Sequence, residues 1–144
     1  MKIAGGNGRS REGGRMTPAG EDYLMRIYVL SGEGREPVRI KELSDDLGVS
    51  PSSASRMASS MSARGLVNFR RYGYITLTGE GRQLGEYLVW RRDVLIRFLT
   101  ALRGDRDVEK EAETAEHCLF RDTVRAMEVF LEHWDGDSLT VSGE

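Results

Sequence analysis

The sequence predicts a mainly α-helical fold with one small β-hairpin set among the helices. Three observations predict it. Apolar residues recur at helical spacing along most of the chain. Two pairs, Thr17–Pro18 and Ser50–Pro51, mark helix starts, because the hydroxyl caps free amides and proline suits the first helical position. Between Leu66 and Thr78 the apolar period changes to two.

The elements follow in order. Residues 1–15 are rich in Gly and Arg with almost no apolar content, so they are expected to form a disordered basic arm. Such an arm either touches phosphates or is an inert tail. Thr17 caps a first helix with Glu21 near its start and Leu24, Ile27 and Tyr28 on its apolar face. SGEGREP is a loop. Ile40, Leu43 and Leu47 mark a short second helix that ends at Gly48, a left-handed cap. Ser50 caps the third. Its Ala54, Met57, Ala58 and Met61 form a buried side, and Ser52, Arg56, Ser59 and Ser60 lie opposite. Val67 and Phe69 then alternate with Asn68 and Arg70, and Ile75 and Leu77 with Tyr74 and Thr76, around an Arg71–Tyr72–Gly73 turn. Thr78 opens a long helix to about Leu102, striped by Leu84, Leu88, Leu95, Leu99 and Leu102. Two helices, about Val108–Phe120 and Thr123–Trp134, complete the set, and residues 136–144 form a loose tail.

Short helix, glycine turn, capped helix and hairpin, in that order, make a winged helix-turn-helix. The division is therefore a basic arm over 1–15, a winged helix-turn-helix DNA-binding domain over 16–78, a helical domain over 79–135, and the tail. A helix anchored on one side and small and hydrogen-bonding on the other can lie near phosphates and reach base edges. The DNA-binding candidates are Ser50, Ser52, Ser53, Ser55 and Arg56 on the third helix, Arg39 before the second, and Arg70, Arg71 and Tyr72 on the wing.

Composition agrees with that class. The 144 residues are 39% hydrophobic and 31% charged, as in a globular protein. The net charge of −2 hides a gradient: +3 over residues 1–16, +1 over 17–78 and −6 over 79–144. A basic front suits DNA and an acidic rear suits cations. One cysteine excludes an internal disulfide and suits the cytoplasm. No secretory signal or bilayer-length apolar run is present, so no membrane partner is expected.

Glu113, Glu116 and His117 stand at i, i+3 and i+4 and are expected to share one helix face. Two carboxylates and an imidazole suit Mn²⁺ or Fe²⁺, and a solvated acidic face is the alternative. Asp22 completes the set if the rear helices fold back on the first. Cys118 is expected to be a buried structural thiol and His133 a surface residue. Tyr87, Trp90 and Phe98 are read as core or dimer contacts. A di-metal helical enzyme needs paired Glu-x-x-His motifs on two helices, and one helix here carries such a cluster, so no enzymatic activity is expected.

The segments TPAGEDYLMRIYVL, RIKELSDDLGVSPSSASRM, ITLTGEGRQLGEYLVWRRDVLIRFL and EAETAEHCL give the chain a resemblance to a known family. It resembles the diphtheria-toxin-repressor and manganese-transport-regulator group of metal-activated transcriptional repressors, from about Met16 to Trp134. It looks like the short architecture, without the extra C-terminal SH3-like domain of longer members. The resemblance implies a homodimer on a palindromic operator and places Asp22, Glu113, Glu116 and His117 on metal-ligand positions. Met25 stands where the manganese sensors have a glutamate, and remains a possible ligand. Arg92 stands where the family has a histidine. Arginine stays protonated and has no free lone pair, so a two-metal site is not expected and one reduced site per subunit remains. Two fates are open to Arg92: it pairs with Glu113, Glu116 or Asp22 as a charge substitute for metal, or it snorkels to the surface. The first would make the repressor metal-independent or alter its metal selectivity.

Overall fold

A computed structural model describes residues 15–70 and 73–136. The fold is mostly helical with a small three-stranded sheet. Helix α1 spans Pro18–Leu30, and the Thr17 hydroxyl accepts from the Gly20 amide at 3.1 Å. Helix α2 spans Ile40–Leu47 and ends at Gly48, whose φ of 65° is the left-handed cap that glycine adopts without a Cβ clash. Helix α3 spans Pro51–Ala63 and is capped by Ser50, which accepts from the Ser53 amide at 3.2 Å.

Strands β2, Val67–Phe69, and β3, Tyr74–Leu77, form the hairpin, with Val67 opposite Leu77 and Phe69 opposite Ile75. The expected tip residues Arg71 and Tyr72 lie outside the described residues. A further strand, β1, spans Val38–Arg39 and pairs antiparallel with β3 through Val38 and Ile75, both fully buried. Two residues carry no visible alternation, so this strand had no signature in the sequence.

Helix α4 spans Gly79–Arg103. Helix α5, Val108–Ala115, gives way to a 3₁₀ turn over Glu116–Cys118, and α6 spans Arg121–Glu132. The expected single helix through Phe120 therefore stops early. Leu119 turns extended, and its amide reaches back three residues to the Glu116 carbonyl.

Leu24, Ile27, Val38, Leu43, Ala54, Ala58, Met61, Ile75 and Leu88 form the core shared by α1, α2, α3, the sheet and the front of α4. Each fully buried Leu or Ile contributes about 1.5–3 kcal/mol of burial. Val94, Leu95, Val108, Ala112 and Val124 are buried among the rear helices. The start of α4 is locked to the end of α3. The Thr78 hydroxyl accepts from the Gly81 amide and lies 2.7 Å from the Gly65 carbonyl oxygen, and the Thr78 amide donates to Leu66. A Cβ on Gly81 would fall 1.8 Å from the Leu66 carbonyl oxygen, and one on Gly85 would fall 2.8 Å from Tyr28 Cβ.

Gly81→Ala is expected to destabilise the fold by at least about 1–3 kcal/mol through overpacking against backbone. Gly79→Ala meets no heavy atom within 4 Å and should be close to neutral. Urea midpoints of the two variants check this pair, and equal midpoints would refute the packing assignment.

Candidate DNA-reading surface and cation centre

Helix α3 and the hairpin flank an open groove of about 1000 Å³, lined by Arg39, Ser52, Ser55, Arg56, Ser59 and Tyr74 among others. Serine side chains keep the helix surface narrow, and Arg56 is exposed on it. Ser50 is engaged as the cap, bonded to the Ser53 amide and hydroxyl. Ser53 lines a neighbouring groove between α3 and the start of α1. Arg70 is exposed beside the hairpin. Arg39 donates to the Tyr74 hydroxyl at 3.1 Å and lies over its ring at 5.3 Å. Tyr74 was not singled out from the sequence, because its position beside Arg39 depends on the unforeseen β1–β3 pairing.

The second cluster lies where α1, α4 and the 3₁₀ turn meet. Asp22, Glu116 and His117 each offer an atom within 4.8 Å of the others. Glu116 is fully buried. Arg92 forks onto it, with Nε donating to Oε2 at 3.1 Å and Nη2 to Oε1 at 2.5 Å, and Nη2 also reaches Asp22 Oδ1 at 3.4 Å. Burial pushes the Arg92 guanidinium pKa down. The hydrogen bond to Glu116 and the charges of Glu116, Asp22 and Glu113 outweigh it, so the net shift is upward and the group stays charged.

Beside this lies a second tie. Arg91, 3% exposed, forms an ion pair with Glu21, Nη1 lying 3.0 Å from Oε2. Glu21 Oε1 lies 3.1 Å from His117 Nδ1, Arg91 Nη2 lies 3.5 Å from the same nitrogen, and Nε2 faces Asp22 and Glu116 at 3.6 and 3.8 Å. Glu21 and Arg91 were missed as site residues. Their signal was adjacency to Asp22 and Arg92, and it becomes meaningful only when α1 packs on α4.

Two ligand candidates are placed apart from the cluster, and the expectation of a buried Cys118 is corrected. Glu113 is exposed and stands outside the group of Asp22, Glu116 and His117. Met25 is buried in the apolar core, where its side chain packs. Cys118 is exposed, because the turn directs Glu116 inward and leaves Cys118 outside. His133 is exposed, as expected, with Nδ1 2.8 Å from the Val129 carbonyl.

The donor types suit Mn²⁺ or Fe²⁺. Their arrangement does not. Both Glu116 oxygens are held by Arg92, and a divalent ion about 4 Å from a guanidinium would meet about 8 kcal/mol of repulsion at an effective dielectric of about 20. The residues as placed therefore do not fit a resident divalent ion.

Two protein-family models match the chain. The iron dependent repressor N-terminal DNA-binding domain matches residues 15–75, and the iron dependent repressor metal-binding and dimerisation domain matches 78–138. The chain belongs to the iron-dependent repressor family. This is the diphtheria-toxin-repressor and manganese-transport-regulator group that the sequence resembles. Members related to this chain are metal-dependent transcriptional regulators. The chain is similar to the solved manganese regulator SloR at 28% identity, with a TM-score of 0.69 over 83% of this chain and 56% of that one. It is similar to a manganese-dependent transcriptional repressor in complex with manganese at 30% identity, with a TM-score of 0.69 over 78% of this chain and 52% of that one. It thus spans about half the length of both. A hypothetical protein from Sulfolobus solfataricus shares the fold, at 18% identity and a TM-score of 0.63 over 81% of this chain and 89% of that one.

Arg91→Ala is expected to cost about 3–5 kcal/mol, because it removes the guanidinium partner of Glu21 in a nearly buried site and leaves it only His117 among its described partners. Arg97→Ala breaks an exposed pair with Asp93 and is expected to cost at most about 1 kcal/mol. Denaturant titration of both variants tests the contrast, which fails if the two costs are equal.

Proposed function

We propose that this chain is a transcriptional repressor that binds a palindromic operator as a homodimer in the cytoplasm. The observation that carries the reading is the groove between α3 and the hairpin, presenting Arg39, Ser52, Ser55 and Arg56 together. In this reading Ser52, Ser55 and Arg56 enter the major groove, and Ser53 and the Ser50 cap position the helix start on a phosphate. Arg39, Arg70, Arg71 and Tyr72 grip the backbone. The homodimer reading draws on the exposed apolar residues Phe120, Val129 and Phe130, at 71%, 48% and 41% exposure, on the rear helical layer. Catalysis has no part in it.

Control is assigned to the cluster of Asp22, Glu116 and His117, which touches α1, α4 and the 3₁₀ turn at once. By residue type the ion suited to Asp22, Glu116 and His117 would be one Mn²⁺ or Fe²⁺ per subunit, an occupancy that the hold of Arg92 on both Glu116 oxygens opposes. The fork of Arg92 on Glu116 favours a second reading, a regulator of the same fold that needs no metal or has altered metal selectivity.

Arg39→Ala and Arg56→Ala are each expected to weaken binding to a duplex selected from a random pool. If the lost contact is to a phosphate, the salt slope of log K falls by about 1. Fluorescence anisotropy across a salt series reads both. Unchanged affinity in both variants would remove α3 and the hairpin from the DNA interface.

A further inference from the structure

We propose that the Arg92 guanidinium is itself the resident cation of the centre, bridging Glu116 to Asp22 and holding the DNA-binding form without metal. This rests on the reading of the chain as a DNA-binding repressor.

Glu116 is the first reason. It is fully buried, and an ionised carboxylate there requires a cation. Arg92 meets it with two parallel bonds, the geometry in which a guanidinium matches a carboxylate best. The same Nη2 reaches Asp22, so one guanidinium joins α1 to the 3₁₀ turn from its seat on α4. These are the helices that an ion at Asp22, Glu116 and His117 would join.

The second reason is charge. Arg91 pairs with Glu21 at 3.0 Å, and Arg92 pairs with Asp22 at 3.4 Å and with Glu116 at 2.5 Å. The two guanidiniums offset two of the three carboxylate charges. A divalent ion therefore gains far less here than in a site without the arginines. Arg91 strengthens the same joint, since it ties α4 to Glu21, the neighbour of Asp22.

The third reason is concentration. A metal bridge fills according to the free ion. A cation attached to α4 is present at a fixed, high local concentration. The joint it makes continues to the DNA side, because α4 begins on Thr78 and Gly81, pressed on Leu66 at the end of the α3 turn.

The test uses the full chain, chelated and desalted, as native protein and as Arg92→His, Arg92→Lys and Glu116→Gln variants. Calorimetry with Mn²⁺ is expected to show native binding at least about tenfold weaker than that of Arg92→His, which restores a ligand. Mn²⁺ is expected to raise the Tm of Arg92→His and leave the native Tm unmoved, a readout that survives if that variant folds only with metal. On a duplex selected in EDTA, the native protein is expected to bind equally with and without Mn²⁺. Arg92→Lys should keep metal-free binding at reduced affinity, and Arg92→His should need Mn²⁺. Tight Mn²⁺ binding by the native protein that Glu116→Gln abolishes would overturn the proposal, as would native DNA binding that appears only with Mn²⁺. If no variant selects DNA with or without Mn²⁺, the repressor reading fails, and the calorimetry still decides which cation occupies the centre.

Discussion

The structure turns on one constraint: Glu116 has no exposure to water and must have a partner. A carboxylate in that position costs several kcal/mol of desolvation, and it persists only where a cation with good geometry meets it. Arg92 supplies that cation from the middle of α4. Its other contact, Asp22, brings α1 to the same point, and the neighbouring Arg91 repeats the arrangement with Glu21. The rear helices are thus fixed to the first helix by consecutive residues of one helix meeting consecutive residues of another.

Helix α4 carries that constraint through the molecule. Its 25 residues run about 37 Å at 1.5 Å per residue. At its start the Thr78 cap and the side-chain-free surface of Gly81 fit against Leu66. In its middle Gly85 lets Tyr28 of α1 approach, and Leu88 enters the core. It meets α6 from Tyr87 and Trp90, which touch Arg121 and Glu128, to Phe98, which touches Phe130. The helix that holds the ion pairs thus also begins on the turn that follows α3.

This arrangement departs from what the residue types alone recommend. Two carboxylates and an imidazole in a metal-binding domain are hard and borderline donors of the kind that hold Mn²⁺ or Fe²⁺. Here the acidic groups are already neutralised in part by guanidiniums of the same chain. Pairing within the chain exchanges responsiveness for permanence. A charge on a side chain cannot dissociate, whereas an ion can.

Local chemistry made much of the fold legible in the sequence. Thr17–Pro18 and Ser50–Pro51 determined where α1 and α3 start, Gly48 where α2 ends, and the alternation of Val67, Phe69, Ile75 and Leu77 where the hairpin lies. Each depends on neighbours a few residues away, so the chain order suffices. Of the centre, Asp22, Glu116, His117 and Arg92 were legible as a set of charges. Their pairing was not. Glu113 stands exposed apart from the set, Met25 lies in the core, and Glu21 and Arg91 join it because α1 lies against α4. Strand β1 and the contact of Arg39 with Tyr74 likewise exist only through pairing across 35 residues. Caps and periods are properties of adjacent residues. Which charge faces which is decided by packing between elements far apart in the chain, and only the tertiary structure holds that information.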